Sequence, residues 1–461
     1  MTDETPGYRS LSLWHDTAGD DWRPRAALDG DVEADVAVVG AGFTGLWTAY
    51  WLTELDRSLD VVVVEQEVAG FGASGRNGGW CSAIFPATMR RVARDAGRDG
   101  AAAMQRAMNE TVRWVGEVAD HEGIDCDYAR GGYVSAARNR AQLARARAEV
   151  RGWADFGLPD QLRLLTAEEV GDRVRMSDVL GGTFTPHCAA VHPAKLVRGL
   201  ARVVEARGVR LHERTTATRI APHTVDTDRG TIRARHVVRA TEGYTPRLRG
   251  HHRAVVPMYS LMVATAPLPD AVWDRIGLAD RPTFSDKRHL RIYGQRTADG
   301  RLAFGGRGAP YHFGSRIEPG FDRDRRVHDM LRTILRELFP ALASASFTHA
   351  WGGNLGIPRD WYPSVGLDPA TGLAHAGGYV GDGVATAALA GRTLAHLITG
   401  VESEMTALPF VGHTSRLWEP EPLRWLGVNA GTMLFAGADR SERLLGRPSR
   451  AAAGFWRLLG H

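Results

Sequence analysis

Lysine is nearly absent from this chain: Lys195 and Lys287 are the only two, and the remainder of its 57 basic residues are arginine. The formal net charge is only +4, because 53 acids are interleaved with the arginines. No basic stripe forms, which argues against a nucleic-acid partner. Cysteine is equally scarce. Cys81, Cys126 and Cys188 stand far apart, without a CxxC pair and in odd number, which excludes a disulfide framework and a structural zinc site. The 17 histidines show no HExxH or other ligand spacing, so no metal is expected. No stretch approaches the ~20 consecutive apolar residues of a membrane-spanning helix. The first residues, MTDETPGYRSLSLWHD, carry acids and no apolar core of a secretory signal, so a cytoplasmic location is expected.

What is present is a chain of 461 residues, too long for one compact core and suited to two closely joined domains. Its 53 glycines cluster instead of scattering. The run DVAVVG (35–40) is apolar and β-branched, as a strand buried on both faces should be. A helix over 43–54 and a second parallel strand, DVVVVE (60–65), follow it. Residues 70–79, GFGASGRNGG, read as a glycine-rich loop. The segment 88–180 reads as mostly helical, with a long polar surface helix around 138–154. Near 192–213 comes a helix–strand unit, in which Pro193 suits a first helical position and Gly208 the position after the helix. A hairpin turn at Asp228-Arg229-Gly230 precedes the strand HVVRAT (236–241). Residues 255–310 alternate as an antiparallel sheet with a turn at Ala298-Asp299-Gly300. A helix is expected over roughly 322–338, then strand, glycine turn and helix over 372–398, and a helical tail from 402 to 461.

Gly40-Ala41-Gly42-Phe43-Thr44-Gly45 is a GxGxxG run between a strand and a helix, with Glu65 closing the next strand twenty residues on. Each part has a physical reason: Gly40 permits the tight turn, Gly42 lets a pyrophosphate approach the backbone, and Gly45 lets helix and strand pack closely. The pyrophosphate then lies at a helix N-terminus, where free N–H groups and the helix dipole favour negative charge. Glu65 can accept hydrogen bonds from an adenosine ribose. The second loop, with Ser74, Arg76 and Asn77, interrupts what would be the next unit of a nicotinamide domain, and can wrap donors around phosphates and a flavin. No second GxGxxG follows. A separate NAD(P)H site is not visible, and electrons are expected to come from the substrate.

The runs DVAVVGAGFTGLWTAYWL, VVVVE and GFGASGRNGGW together resemble the D-amino-acid oxidase and sarcosine oxidase superfamily. The GASGRNGG form is most similar to its gamma-glutamylputrescine oxidoreductase branch. HPAKLVRGL, TIRARHVVRATEGYTP and GLAHAGGYVGDGVATAALAGRTLAHLI extend the likeness over roughly 10–430. The resemblance implies an α/β fold: a discontinuous Rossmann-type FAD domain (30–87, 188–250 and 349–401) and an α+β substrate domain on an antiparallel sheet (88–187 and 251–348). Residues 402–461 would form a helical appendage. It implies cofactor contacts from Gly72, Ala73, Ser74, Arg76, Asn77, Gly78 and Gly79, from Ala217, Thr241 and Gly243, and from Gly378, Tyr379, Gly381, Asp382, Gly383 and Val384. The last group opens a helix near 384 whose N–H groups would face the flavin N1–C2=O edge, where negative charge develops when a hydride arrives at N5.

Departures from the family pattern narrow these implications. The segment HAWGGNLGIPRDWYPSVG lacks the cysteine used for covalent attachment, and Trp80-Cys81 stand where another covalent type has histidine, so FAD is expected to be noncovalent. GRLAFGGRG and GDGVATA lack the lysines that promote oxygen reactivity and hold a carboxylate, which leaves oxidase and dehydrogenase both open. Asp382 replaces the usual histidine; its carboxylate either meets a cationic substrate or caps the helix.

Substrate-side candidates follow. Trp80, Tyr259, Trp351 and Tyr379 either cage an amine or pack the core. Arg307 either holds a substrate carboxylate or forms a surface ion pair; Tyr311 and His312 lie beside it. Cys81 is either redox-active or a small buried hydrophobe. The expected function is FAD-dependent oxidation of a C–N bond in a small amine or amino-acid-like substrate to an imine, by hydride transfer to flavin N5, with oxygen or another acceptor taking the electrons. The alternative is a dehydrogenase serving a membrane or protein acceptor, suggested by arginines near Trp425, Leu426, Phe455 and Trp456. Against it stands the simpler reading, a tail packed on its own protein.

Overall fold

A computed structural model describes residues 7–458, with side chains as far as Phe455; Trp456 lies outside the described side chains. The strand Val32–Val39, apolar and buried from Val36 onward, takes the middle of an eight-stranded sheet, as its fully buried Val36 and Val38 require. It pairs in parallel with Val61–Val64 on one side and Thr231–Arg239 on the other. Arg210–His212 extends the first side and Leu373–Gly377 the second, both parallel, and Ser364–Asp368 closes the edge antiparallel. The hairpin of Ala217–Ala221 and Thr224–Thr227 joins the lower part of Thr231–Arg239.

Helices Phe43–Leu55, Pro193–Ala206 and Gly383–Thr399 share the buried cluster on one face of this sheet. Phe43–Leu55 and Gly383–Thr399 approach so closely that a Cβ on Gly391 would meet Trp47 at 2.7 Å and the Thr48 backbone at 2.8 Å. Pro193–Ala206 begins with proline, is capped by His192 Nδ1 accepting the Lys195 N–H, and gives way to Gly208 at φ 95°.

A second eight-stranded sheet runs in the order 347–357, 256–265, 302–306, 292–296, 283–286, 133–137, 181–185, 163–165. All its pairings are antiparallel except Thr283–Asp286 with Tyr133–Ala137. Helix Arg325–Leu338 buries Leu331, Leu335 and Leu338 in the same apolar cluster as Phe284 and Phe304 of this sheet.

The structure corrects three expectations. The segment 88–180 contains the strands Tyr133–Ala137 and Arg163–Leu165, short runs whose pairing partners are distant in sequence. Helix Asp270–Ile276 interrupts the stretch 255–310. Residues 349–357, assigned to the cofactor domain, belong instead to the edge strand Phe347–Ile357 of the second sheet. That strand stays next to the cofactor loops because Gly353 leaves Ala73 only 3.7 Å from where a Cβ would be.

Candidate functional site

Three glycine-bearing turns meet at the C-terminal ends of the parallel strands. In the first, Gly40 has φ 110°, and a Cβ there would lie 2.6 Å from the Ala240 carbonyl. Gly45 would collide with the Gly40 carbonyl at 2.0 Å, so its role is helix–strand packing and it does not line the cavity. A Cβ on Gly42 would lie 2.8 Å from Ser74 Oγ, and that hydroxyl accepts the Phe43 N–H at 2.8 Å. The second turn is thereby fastened to the first. It is not wholly loop: Ala73–Arg76 makes one helical turn. The third turn is fastened too, since Tyr379 Oη shares a hydrogen bond with Thr44 Oγ1 at 2.9 Å.

These turns surround a cavity of about 780 Å³. Of the expected cofactor residues, Gly40, Gly42, Phe43, Thr44, Glu65, Gly72, Ala73, Ser74, Arg76, Asn77, Ala217, Thr241, Gly243, Tyr379, Gly381, Gly383 and Val384 line it. Gly78, Gly79, Gly378 and Asp382 do not. Gly78 lies under Tyr293 and Gly79 against Gln295, where Cβ atoms would come within 2.7 and 2.0 Å; Gly378 turns the chain at φ 79° beside Pro358. These three glycines shape the turns without facing the cavity.

Glu65 accepts the Ala41 N–H at 2.9 Å and the Glu67 N–H at 3.0 Å. Burial pushes its carboxyl up to about 7 against the pull of those donors. Arg76 donates to Asp322 at 2.9 Å and to the Tyr244 hydroxyl at 3.1 Å, which joins the second turn to the other half of the molecule. Among the described residues its Nε and Asn354 Oδ1 have no hydrogen-bond partner, though both atoms are buried, and both residues line the cavity. A glycine cradle at one helix N-terminus, a ribose-type carboxylate and orphaned polar atoms further along fit FAD.

Glu242 was not singled out from the sequence. It accepts the Gly356 N–H at 2.5 Å and the Tyr379 N–H at 3.1 Å, and burial pushes it up to about 7. The available signal was an acid directly after the returning strand, in RATEGYTP. Asn354, beside it, donates to the Gly243 carbonyl at 2.9 Å.

The aromatic cage does not form. Trp351 is fully buried, donates its indole N–H to the Arg76 carbonyl at 2.9 Å, and packs edge-on against Trp14. Tyr379 is held by Thr44. Tyr259 does line the cavity, edge-on to Phe321 and His312. Trp80 instead packs with Tyr133 and Tyr293, and Tyr293 bonds Ser260 at 2.7 Å. Alternation along Val256–Thr265 sends Tyr259 and Ser260 to opposite faces, so Trp80 and Tyr259 cannot clasp one ligand.

Asp382 occupies the N-cap position of Gly383–Thr399, yet its side chain makes no capping bond. The cap reading is corrected: at φ −95° and ψ 48° the backbone is not in the extended conformation a capping carboxylate uses. Burial raises its carboxyl, with Arg291 and Arg307 opposing. Arg307 is no surface ion pair either. It donates to the Val380 carbonyl at 2.5 Å, lies 5.2 Å over Trp361, and is pushed down to about 10 by burial and Arg291. Tyr311 is buried and bonds Glu421 at 2.7 Å, and His312 stacks on Phe321. Cys81 is buried, with its thiol raised far from reactivity by desolvation.

The family description "FAD dependent oxidoreductase" (DAO) matches residues 35–397. The chain is 31% identical to gamma-glutamylputrescine oxidoreductase of Escherichia coli (strain K12), over 90% of this chain and 93% of that protein. It is also 31% identical to the probable oxidoreductase OrdL of Rhizobium meliloti (strain 1021), over 88% and 91%. Among solved structures it resembles glycine oxidase from Geobacillus kaustophilus, with a TM-score of 0.69, 22% identity, and coverage of 83% of this chain and 100% of that one. L-proline dehydrogenase from P. horikoshii gives 0.67 and 20%, over 82% and 96%. These two likenesses show the fold. With its glycine turns opening on one FAD-sized cavity and the family match running through all of them, the chain belongs to the DAO family of FAD-dependent oxidoreductases.

Proposed function

We propose that this enzyme oxidises a C–N bond of an amine or amino-acid-like substrate to an imine, which then hydrolyses to a carbonyl compound. The observation that carries this reading is that two helix N-termini, at Phe43 and at Gly383, open on one cavity. The first suits a pyrophosphate; the second suits the edge of a ring that becomes anionic on reduction. FAD, when bound noncovalently, supplies the acceptor for the substrate's C–H hydride. The backbone N–H groups at Gly383 and Val384 hold negative charge in place without reorganising. Arg307 and Asp382 offer charges of both signs beside that turn, and Tyr259 gives the cavity an apolar wall. No side-chain base is required, because the amine need lose only its own proton beforehand. The names of similar proteins, for gamma-glutamylputrescine, glycine, L-proline and iminodiacetate, support amines and amino acids as the class.

The test is anaerobic mixing of the holoenzyme with a panel containing those compounds and NADPH, followed by loss of the flavin's visible absorbance. An amine should bleach it and NADPH should not. Faster bleaching by NADPH than by every amine overturns the reaction class. Readmitting oxygen then distinguishes an oxidase, which recovers its colour at once, from a dehydrogenase that awaits another acceptor.

A further inference from the structure

The family match ends at residue 397, and beyond it the helix Leu423–Leu445 is built onto the molecule in an unusual way. One face is anchored to the body. Arg424 donates to Glu421 and to the His252 carbonyl, Asn429 accepts the Tyr311 N–H at 3.0 Å, and Val428 packs in a cluster with Tyr311 and Val380. A second face is covered by helix Arg450–Leu458: Phe435 and Ala438 meet Ala452 and Phe455, and Gly431 leaves no room for a Cβ, which would lie 2.7 Å from the Phe455 ring.

Nothing among the described residues covers the third face. Leu423, Leu426, Met433 and Leu444 recur on it at helical spacing, with 61%, 53%, 69% and 75% of their surface exposed. Charge is sorted just as sharply. The acids of this helix, Asp439 and Glu442, and Glu421 just before it, point inward. Glu442 is buried between Arg145 at 2.7 Å and His289 at 2.9 Å; Asp439 accepts the N–H groups of His289 and Leu290; Glu421 accepts from Tyr311 and Arg424. These bonds also occupy the His289, Asp439 and Glu442 side chains, which lie near enough to suggest a metal. Arg440, Arg443, Arg447 and Arg450 remain exposed, and of these only Arg443 has an acid against it among the described residues, Glu337 at 3.2 Å.

We infer that this face seats the enzyme on an anionic lipid bilayer, with the leucines and Met433 in the headgroup–acyl boundary and the arginines at the phosphates. An apolar stripe flanked by cations with its acids turned away is what such a surface selects. The contact is interfacial, since no described helix is long and apolar enough to cross a membrane. A second copy of the chain fits less well. The same spacing places Ala430, Gly437 and Arg440 on the seam, where a self-paired helix needs apolar knobs, whereas a bilayer demands none. Through Val428 the helix also borders Val380 of the final glycine turn, so docking would bring the Arg307 side of the molecule near the membrane.

The test uses the full-length, FAD-loaded protein with vesicles of phosphatidylglycerol and phosphatidylcholine in equal parts, and of phosphatidylcholine alone. The protein should sediment with the first and much less with the second. The triple variant Leu426→Glu, Met433→Glu, Leu444→Glu should lower the vesicle-bound fraction by roughly tenfold or more. Flavin content and melting temperature should be unchanged, because these side chains are solvent-facing. Should that variant melt early, Arg440→Glu with Arg447→Glu gives an independent reading, and it should weaken binding to the anionic vesicles. Wild-type protein that stays in the supernatant, or variants that sediment like wild type, overturn the inference. So does light scattering that shows a wild-type dimer made monomeric by the triple variant, without vesicle binding.

Discussion

Replacing Glu242 by glutamine perturbs the point where three distant segments share one carboxylate. Oε2 takes the Gly356 N–H at 2.5 Å and Oε1 the Tyr379 N–H at 3.1 Å, while Glu242 itself sits at φ 37° just after the strand Thr231–Arg239. Glutamine keeps one acceptor oxygen and must turn its NH₂ toward one of the two donors. The loss is one charge-assisted bond, about 1.5–3 kcal/mol, plus about 1–3 kcal/mol for a buried donor left unpaired. Relief of the buried charge returns part of this, so a net cost of about 2–4 kcal/mol is expected. Because Tyr379 belongs to the turn lining the cavity, about half should appear as weaker FAD binding, raising Kd by roughly tenfold. Titration of apoprotein with FAD, followed by flavin fluorescence, measures it. The pH dependence carries a sign as well. The folded protein holds this carboxyl at about 7 against an ordinary 4.5, so it binds the proton more tightly than the unfolded chain does. The associated stability is full below about 4.5 and is lost as pH rises through about 7. The wild type's melting temperature, measured relative to the variant's, should therefore fall across that window. An unchanged Kd together with a pH-independent difference would refute the reasoning.

Gly42→Val should abolish FAD binding, because its Cβ would fall 2.8 Å from Ser74 Oγ and block the approach to the backbone; full flavin occupancy in the purified variant would show the motif misassigned. Asp382→Asn should leave the melting temperature almost unchanged, since no capping bond is lost, yet raise KM for a substrate with a second cationic group by roughly tenfold. Steady-state kinetics decides it, and an equal KM removes Asp382 from the binding site. Acid precipitation should release intact FAD into the supernatant; colour that stays with the pellet would show a covalent bond.

What was legible in the sequence is what local chemistry dictates. A buried parallel strand must be apolar on both faces, a pyrophosphate turn must place glycines at fixed offsets, and Pro193 and Gly208 mark the ends of one helix. Each needs only neighbours in sequence, and each lies where expected. The misreadings share the opposite cause. For Trp351 both a cage role and a core role stand open in the sequence, and the core role prevails because its indole is claimed by the Arg76 carbonyl, 275 residues away. Asp382 looked like a cap because it precedes a helix, but the left-handed Val380 before it, at φ 55°, turns the chain and leaves its carboxylate within the field of Arg291 and Arg307. Glu242 has no local signature, because the groups it joins are distant in sequence. Its partners arrive from strand Phe347–Ile357 and from the final turn.

The same long-range bonds explain why the three turns act together. Ser74 holds the second turn to Phe43, Tyr379 holds the third to Thr44, Glu242 holds the third to Gly356, and Arg76 reaches across to Asp322. Each bond alone contributes on the order of 1 kcal/mol, more where a charge takes part, too little to fix a loop by itself. Closing them in a ring makes each cheaper in entropy once the others have formed, so the cavity is a cooperative unit and not a set of independent loops. A ligand that spans the whole ring therefore stabilises every joint at once, and loss of any one joint is felt along the full length of the cavity.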